Sequence, residues 1–421
     1  MENILKFLIE INKLKETIRT GWIIWRIKNP ETIAEHIFRV SFLTFLLGQK
    51  KGLNLKLAIQ NAISHDLCEV YAGDITPLFY YQNLDIRKKK DREILMKGIR
   101  LFGREKEKMS RLKFENEKKS LLKLVGSLEK GLKNTIFLRW LDYEKGLSRE
   151  GKFTKQIDWV ENLIQSLEYL GIEGSGSGWW EIAEEKVYDP LLLDFLRVIQ
   201  KKFYKRRLFK ETKQEKELEK ILDFILKIGK LKRTPRAYWT ILGIKNPETV
   251  AEHIFTVALL GWLLGKEKHQ LNQAKILKMA LCHEISAAEI GDTIPYFEKV
   301  PQDKRKRKTL LQKWPRLPED EKAKRFLREY KKEKMAILKL TSGLEINLKK
   351  EIIGLWDEYR TIRSPEALFL NQINVLAVLF QGLLYQKKYK VSVNPLWEWA
   401  FEKCDDPIIL GFLEELSKKF Y

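Results

Sequence analysis

A chain of 421 residues with 44% hydrophobic and 32% charged residues can bury the cores of two domains, which excludes a disordered protein. Its net charge of +22 favours anionic partners such as nucleotides, nucleic acid or acidic lipid, unless the lysines only solvate the surface. Three cysteines without a CxxC pair argue against a disulfide framework and indicate a cytoplasmic protein.

The predicted elements are helices almost throughout, because apolar residues recur at spacings of three and four and no run alternates with period two. The first helix is amphipathic and lacks the apolar core of a signal peptide. Asn29-Pro30-Glu31 predicts a helix start with Asn29 as N-cap, which places His36 two turns into that helix. An apolar helix beginning near Leu57 carries His65 and, four residues later, Glu69 on the same face.

Later segments continue this pattern. Gly73 ends the helix of His65, residues 121–128 trace another apolar helix face, and residues 174–178 predict a flexible loop. The most apolar stretch, residues 255–265, is shorter than the roughly 20 residues that span a bilayer, so we expect no membrane segment.

The chain contains an internal repeat. Residues 28–36 read KNPETIAEH and residues 245–253 read KNPETVAEH, so eight of nine letters match at an offset of 217. Segments 63–77 and 138–158 match segments 281–295 and 354–374 at offsets of 218 and 216. We therefore predict a tandem duplication, with domains at residues 1–205 and 217–421 and a charged junction between them.

Four of the five histidines occupy equivalent positions in the two repeats, which favours a site over isolated core histidines. Repeat one offers two imidazoles and two carboxylates in this set: His36, His65, Asp66 and Asp158. Mixed nitrogen and oxygen ligands suit Mn, Fe, Co, Ni or Zn better than Ca or Mg. The sequence thus predicts a divalent metal of unidentified type.

Several short motifs follow one another in repeat one: Arg19-Thr20-Gly21-Trp22, Glu35-His36, His65-Asp66-Leu67-Cys68-Glu69, Gly73-Asp74-Ile75 and Lys155-Gln156-Ile157-Asp158. This ordered set resembles the HD-domain metal-dependent phosphohydrolases and is similar in detail to their 5′-deoxynucleotidase branch. The resemblance spans residues 10 to 165. It implies an all-α chain of two tandem HD-type domains packed as an intramolecular pseudo-dimer, and therefore a monomer.

The resemblance also implies roles for the matched residues. The two histidines and two aspartates bind the metal, while Glu69 and Asp74 serve proton transfer and water positioning. Arg19 meets the substrate phosphate, and Trp22 lies against the nucleoside. Three alternatives stay open: Glu69 as an orienter of a ligand histidine, Arg19 as a surface residue and Trp22 as a core residue.

Repeat two departs from this pattern. Ala287 stands at the position of Glu69, and Asn374 stands at the position of Asp158. Alanine cannot transfer protons and neutral asparagine is a poor ligand, so we expect little or no turnover there. This degenerate second site comprises His253, His283, Glu284, Asp292 and Asn374. It is expected to be a structural partner, to hold a ligand or to be regulatory.

The favoured function is release of phosphate from a nucleoside monophosphate or a similar small phosphoester. One alternative is a nucleic-acid-binding or regulatory protein without turnover, which the net charge and the degenerate second repeat favour. The basic runs at 87–90 and 304–308 could bind nucleic acid. These runs lack interleaved aromatic residues and also fit solvated surfaces. Another alternative is a phosphodiesterase acting on a dinucleotide or oligonucleotide.

Overall fold

The computed structural model describes residues 1–74, 84–85, 87–96, 103–174, 176–204, 211–294, 303, 305–306, 309 and 317–421. Within these ranges the chain is helical and contains no strand, which confirms the predicted all-α class. The helices before residue 205 are α1 (Glu2–Ile11), α2 (Thr20–Ile24), α3 (Ile33–Lys50), α4 (Leu55–Ser64), α5 (Glu69–Ala72), α6 (Lys89–Met96), α7 (Gly103–Leu124), α8 (Lys130–Lys145), α9 (Arg149–Gly174), α10 (Gly176–Lys186) and α11 (Pro190–Tyr204). The helices that follow are α12 (Lys213–Ile228), α13 (Ala237–Ile241), α14 (Val250–Gly265), α15 (Gln273–Cys282), α16 (Ala287–Ile290), α17 (Glu319–Leu340), α18 (Ile346–Thr361), α19 (Pro365–Tyr389), α20 (Asn394–Lys403) and α21 (Pro407–Phe420).

The chain divides into two compact units, one of Lys6–Leu222 and one of Met1–Leu5 with Asp223–Tyr421. In the first unit α3 packs against α4 and α9, and α8 packs against the same two helices. In the second unit α14 packs against α15 and α19, and α18 packs against that pair. Equivalent helices thus build the same bundle in each repeat. The domain limits at residues 205 and 217 stay predictions.

The helix that carries the first histidine begins later than predicted. Thr32 is the N-cap of α3, in a capping box with Glu35. Asn29 has a φ of 56° and cannot adopt the extended N-cap conformation, so the predicted Asn29 cap is wrong. His36 therefore lies in the first turn of α3. Thr249 caps α14 in the same way.

The sequence predicts that His65 and Glu69 share one continuous helix, and this prediction is wrong. α4 ends at Ser64 with His65 as its C-cap, and Glu69 opens α5. The Glu69 N–H donates to the Asp66 carbonyl at 3.1 Å, a tighter spacing than the four residues of an α-helix. Neighbours on an α-helix diverge by about 100°, and this turn instead brings the His65 and Asp66 side chains to one point.

Two other predicted segments also differ. α9 reaches Gly174 and α10 begins at Gly176, so most of the predicted loop at 174–178 is helical, with a bend at Gly171. The junction is helical from Lys213 onward. Residues 205–210, Ile75 and most of the basic run at 304–308 lie outside the described residues.

Among the described residues one helix, α19, is long and apolar enough to cross a membrane by length and composition, a stretch that the sequence analysis did not single out. Its most apolar window is 78% buried inside the protein. Burial of this extent is typical of the central helix of a bundle, and α19 packs against α14, α15 and α18.

Candidate metal and phosphate site

Three ligand atoms of repeat one converge where α3 meets the turn after α4. His36 Nε2 lies 3.3 Å from His65 Nε2 and 3.8 Å from Asp66 Oδ2. His65 Nε2 lies 3.2 Å from the same Asp66 oxygen, and both imidazoles are buried. Atoms about 2.1 Å from one tetrahedral ion lie roughly 3.4 Å apart, so these separations suit a shared cation.

Both imidazoles direct Nε2 toward this point because other atoms occupy their Nδ1 positions. His36 Nδ1 lies 2.6 Å from Glu161 Oε2, and His65 Nδ1 lies 2.6 Å from the Ala62 carbonyl oxygen. With Nδ1–H donating to these oxygens, each Nε2 lone pair is available to a metal. The residues present therefore fit a divalent cation, and their role as ligands stays a prediction.

Asp158 reaches the cluster through His36. Its Oδ1 lies 3.0 Å from His36 Nε2, and its Oδ2 accepts a hydrogen bond from the Tyr143 hydroxyl at 2.7 Å. Burial and Arg19 lower the pKa of His36, but Glu161 and Asp158 outweigh them and raise it to about 9. A cation bound at His36 Nε2 would compete with a proton for the same lone pair.

Arg19 lies inside the site. The alternative that it is a surface residue is therefore wrong. One guanidinium nitrogen lies 2.9 Å from Asp66 Oδ2 and 4.0 Å from Asp74 Oδ1, and the other donates to Asn162 at 2.9 Å. Asp74 also accepts the Thr20 N–H at 2.6 Å, which fixes the start of α2. The structure therefore brings Arg19 and Asp74 to the cluster, while their functional roles stay predictions.

Glu69 is buried, with 5% of its surface exposed. Its Oε2 has no hydrogen-bond partner among the described residues. Burial raises the pKa of Glu69 well above its usual range, and the charges of Asp66 and Asp74 add to the rise. Burial and the neighbouring negative charges therefore favour the protonated form of Glu69.

Trp22 is a core residue in this structure, with 1% of its surface exposed. Its indole N–H donates to Glu31 at 2.8 Å, and its ring stacks on Trp179 at 5.2 Å between centroids. Tyr169 meets the same ring edge-on. This packing matches the alternative that the sequence left open, and contact of Trp22 with a nucleoside stays a prediction.

Repeat two keeps the outline of the site with different chemistry. His253, His283 and Glu284 place ligand atoms within 4.8 Å of one another, and His253 Nε2 lies 2.8 Å from Asn374 Oδ1. Arg236 bridges Glu284 at 3.2 Å and Asp292 at 3.0 Å, much as Arg19 does in repeat one. Asn374 supplies no charge at the position of Asp158. The second site thus has one carboxylate fewer than the first, and its weakness as a ligand set stays a prediction.

The charges beside the site are exchanged between the repeats. In repeat one Lys113 of α7 faces Glu117 at 3.5 Å, and Glu144 of α8 lies in its field. At the equivalent positions, repeat two has Glu329 on α17 and Arg360 on α18, and Arg360 contacts Glu333 at 2.8 Å. A positively charged side chain therefore lies beside each site, but it comes from α7 in repeat one and from α18 in repeat two.

Sequence reasoning missed several side chains around the cluster: Arg39, Tyr143, Glu161 and Asn162. Asn162 donates to Asp158 Oδ1 at 2.9 Å, and Arg39 Nε donates to Glu161 Oε1 at 2.7 Å. A signal for two of them was present. Arg39 and Glu161 are charged residues three positions after His36 and Asp158, where one helix face otherwise continues as core.

Comparisons with known proteins identify the family to which the chain belongs. The sequence pattern of the HD domain family matches residues 11–177 and 228–403. The 5′-deoxynucleotidase HDDC2 of Danio rerio is 29% identical over 200 residues, which cover 47% of this chain and 86% of that protein. HDDC2 of Bos taurus is 31% identical over 199 residues, with 47% and 84% covered, and 5′-deoxynucleotidase hdd1 of Schizosaccharomyces pombe is 31% identical over 204 residues, with 47% and 89% covered. The predicted resemblance is thus confirmed, and the chain belongs to the HD domain family, with two copies of the domain in tandem.

Proposed function

We propose that this protein is a metal-dependent phosphohydrolase whose first repeat releases phosphate from a nucleoside monophosphate or a similar small phosphoester. One observation carries the proposal: His36 Nε2, His65 Nε2 and Asp66 Oδ2 lie within 4.8 Å of one another, and the Arg19 guanidinium lies 2.9 Å from Asp66. The similarity to proteins named 5′-deoxynucleotidase supports a nucleotide substrate.

The proposed ligands of the cation are His36, His65, Asp66 and Asp158. When bound, a divalent ion lowers the pKa of its water and neutralises phosphoryl charge. Two imidazoles with two carboxylates favour Mn, Co, Fe, Ni or Zn. Tyr143 and Asn162 each donate to Asp158, and they hold this carboxylate in position.

Arg19 is the proposed contact for the phosphate. Its guanidinium has the planar fork that matches phosphate oxygens, and Asp74 and Asn162 hold it beside the cluster. Because Asp74 also binds the Thr20 N–H, it fixes both the side chain and the backbone of this segment. Substrate phosphate thus meets a charge that is already oriented.

Glu69 is the proposed proton donor. It is buried at the start of α5, and burial and two neighbouring carboxylates raise its pKa, which favours the protonated form. A protonated carboxyl can transfer its proton to the leaving nucleoside oxygen, a step that contributes typically 10²–10⁴-fold to the rate. Ala287 removes this group from repeat two, and we propose that repeat two does not hydrolyse substrate.

The test is a phosphate-release assay on the full chain, stripped of metal and reloaded singly with Mn²⁺, Co²⁺, Fe²⁺, Ni²⁺ or Zn²⁺. The substrates are deoxyribo- and ribonucleoside 5′-monophosphates, a dinucleotide and a single-stranded oligonucleotide. We expect phosphate release from monophosphates, abolished by EDTA and restored by metal. Metal-loaded protein that releases no phosphate from any monophosphate would contradict the proposal.

The same panel separates the alternatives. Release of a monophosphate from the dinucleotide or oligonucleotide indicates a phosphodiesterase. Tight retention of the oligonucleotide without turnover, weakening steeply with salt, indicates the nucleic-acid-binding alternative that the net charge of +22 favours.

We also propose that the chain is a monomer in the cytoplasm. In this proposal the second HD domain takes the place of the second subunit of a homodimer. Cys68, Cys282 and Cys404 are buried and free, which supports a reducing compartment. Light scattering that gives a dimer, or fractionation that places the protein outside the cytoplasm, would overturn the respective statement.

A further inference from the structure

A buried charged network lies behind His36, on the side away from Asp66. Arg39 and Glu161 are both fully buried. Glu161 accepts from His36 Nδ1 through Oε2 at 2.6 Å and from Arg39 Nε through Oε1 at 2.7 Å. Arg39 also donates to Gln165 at 2.7 Å and forms an ion pair with Glu168. One carboxylate thus connects a proposed metal ligand to a buried guanidinium.

Folding of the bundle does not require this network, because the second repeat lacks it. The positions of Arg39, Glu161 and Glu168 are occupied there by Thr256, Ala377 and Leu384. Nevertheless α14 and α19 pack together as α3 and α9 do. A buried ion pair is in general weak support for stability. The three charged residues are therefore present in the repeat with the intact ligand set and absent where that set is degenerate.

Contacts shared by both repeats make the comparison sharper. Trp22 and Trp239 both donate to a buried glutamate, and Tyr169 and Tyr385 both accept from the backbone N–H of that glutamate. These contacts survive in the degenerate repeat, so they serve the scaffold. The network around Arg39 does not survive, so its function belongs to the site.

The geometry indicates what that function is. A carboxylate on Nδ1 fixes one tautomer of His36, holds the ring plane and strengthens Nε2 as a ligand. Arg39 holds the second oxygen of Glu161 and compensates its charge. This arrangement also explains why the buried group of Glu31, His36 and Glu161, whose atoms lie within 4.8 Å of one another, is not a second cation site.

We propose that Arg39, Glu161 and Glu168 form a positioning relay that presents His36 Nε2 to the divalent metal, an inference that rests on the proposed function. Glu161 acts directly on the imidazole. Arg39 and Glu168 act through Glu161. None of the three contacts substrate in this assignment.

The test transplants the residues of repeat two into repeat one as the triple variant R39T/E161A/E168L of the full chain. Calorimetric titration with Mn²⁺ or Co²⁺ is expected to show affinity 10–100-fold weaker than in the unaltered protein. The melting temperature of the metal-free variant is expected to stay close to that of the unaltered protein, as the second repeat implies. Tyr169→Phe is the matched control, expected to lower the melting temperature and leave metal affinity unchanged.

A second measurement needs no metal. In ¹⁵N-histidine spectra of the metal-free protein, the Nδ1 proton of His36 is expected to be protected from solvent exchange in the unaltered chain. This protection is expected to be lost in Glu161→Gln and in the triple variant. If the unaltered protein binds metal and both variants bind it equally well, the relay is overturned. If the unaltered protein binds no divalent ion, the proposed function fails, and the spectra still decide whether Glu161 fixes the tautomer.

Discussion

Glu69 is the residue on which turnover is expected to depend most directly after the metal ligands. Substitution Glu69→Gln preserves shape and removes the proton, so phosphate release is expected to fall about 10²–10⁴-fold. Metal affinity, measured by calorimetry, is expected to stay the same, because Glu69 is not among the proposed ligands. Glu115→Gln on exposed α7 surface is the control. Unchanged turnover in Glu69→Gln would leave Glu69 only the role of orienting a ligand.

Glu333 makes the stability of the second repeat depend on pH. Burial raises the pKa of Glu333 from 4.5 to about 7, with Glu284 adding to the rise and Arg360 opposing it. Because the folded pKa lies above the unfolded one, this contribution to stability is fully present below pH 4.5 and is lost as the pH rises through 7.

Between pH 5 and pH 8 the ionisation of Glu333 is expected to lower the unfolding free energy of the unaltered chain by about 2 kcal/mol, and the melting temperature with it. Glu333→Gln is expected to flatten this fall. Thermal denaturation across that range measures it. The exposed Glu319→Gln serves as control, because its side chain is 81% exposed. Parallel pH profiles for the unaltered chain and Glu333→Gln would contradict the assignment.

At the scale of elements, the two capping boxes offer a matched pair. Thr32→Ala and Thr249→Ala each remove a side-chain N-cap, and each is expected to cost about 1 kcal/mol of stability. His36 lies in the turn that Thr32 caps, so Thr32→Ala is also expected to weaken Mn²⁺ binding, on the order of tenfold, while Thr249→Ala does not. Equal effects of the two substitutions on Mn²⁺ affinity would sink this prediction.

The sequence predicted the helical class, the duplication and the residues of repeat one that lie together at the cluster. Helix periodicity is visible within short segments, and four of the five histidines stand at equivalent positions in the two repeats. It failed where local signals compete: Asn29-Pro30 looks like a helix start, but Asn29 takes a positive φ and Thr32 caps α3. It also missed Glu161, because a glutamate on a helix is usually solvated, and only the packing of α3 on α9 buries it.

At the scale of the whole molecule, the two repeats are expected to contribute unequally to turnover. His65→Ala removes a proposed ligand of repeat one and is expected to abolish phosphate release. The equivalent His283→Ala is expected to leave the rate within about twofold, since Ala287 provides no proton donor nearby. Metal content and phosphate release of the two variants, measured side by side, check this. Loss of turnover in His283→Ala would show that the second site takes part in the reaction.

The exchanged charges of Lys113 and Glu144 against Glu329 and Arg360 have a consequence for the history of the chain. Reversing two neighbouring opposite charges takes two substitutions, and either one alone leaves two like charges in each other's field. In an assembly of identical subunits every such step alters both active sites at once. A fused duplicate can pass through the unfavourable intermediate in one half while the other half continues to work.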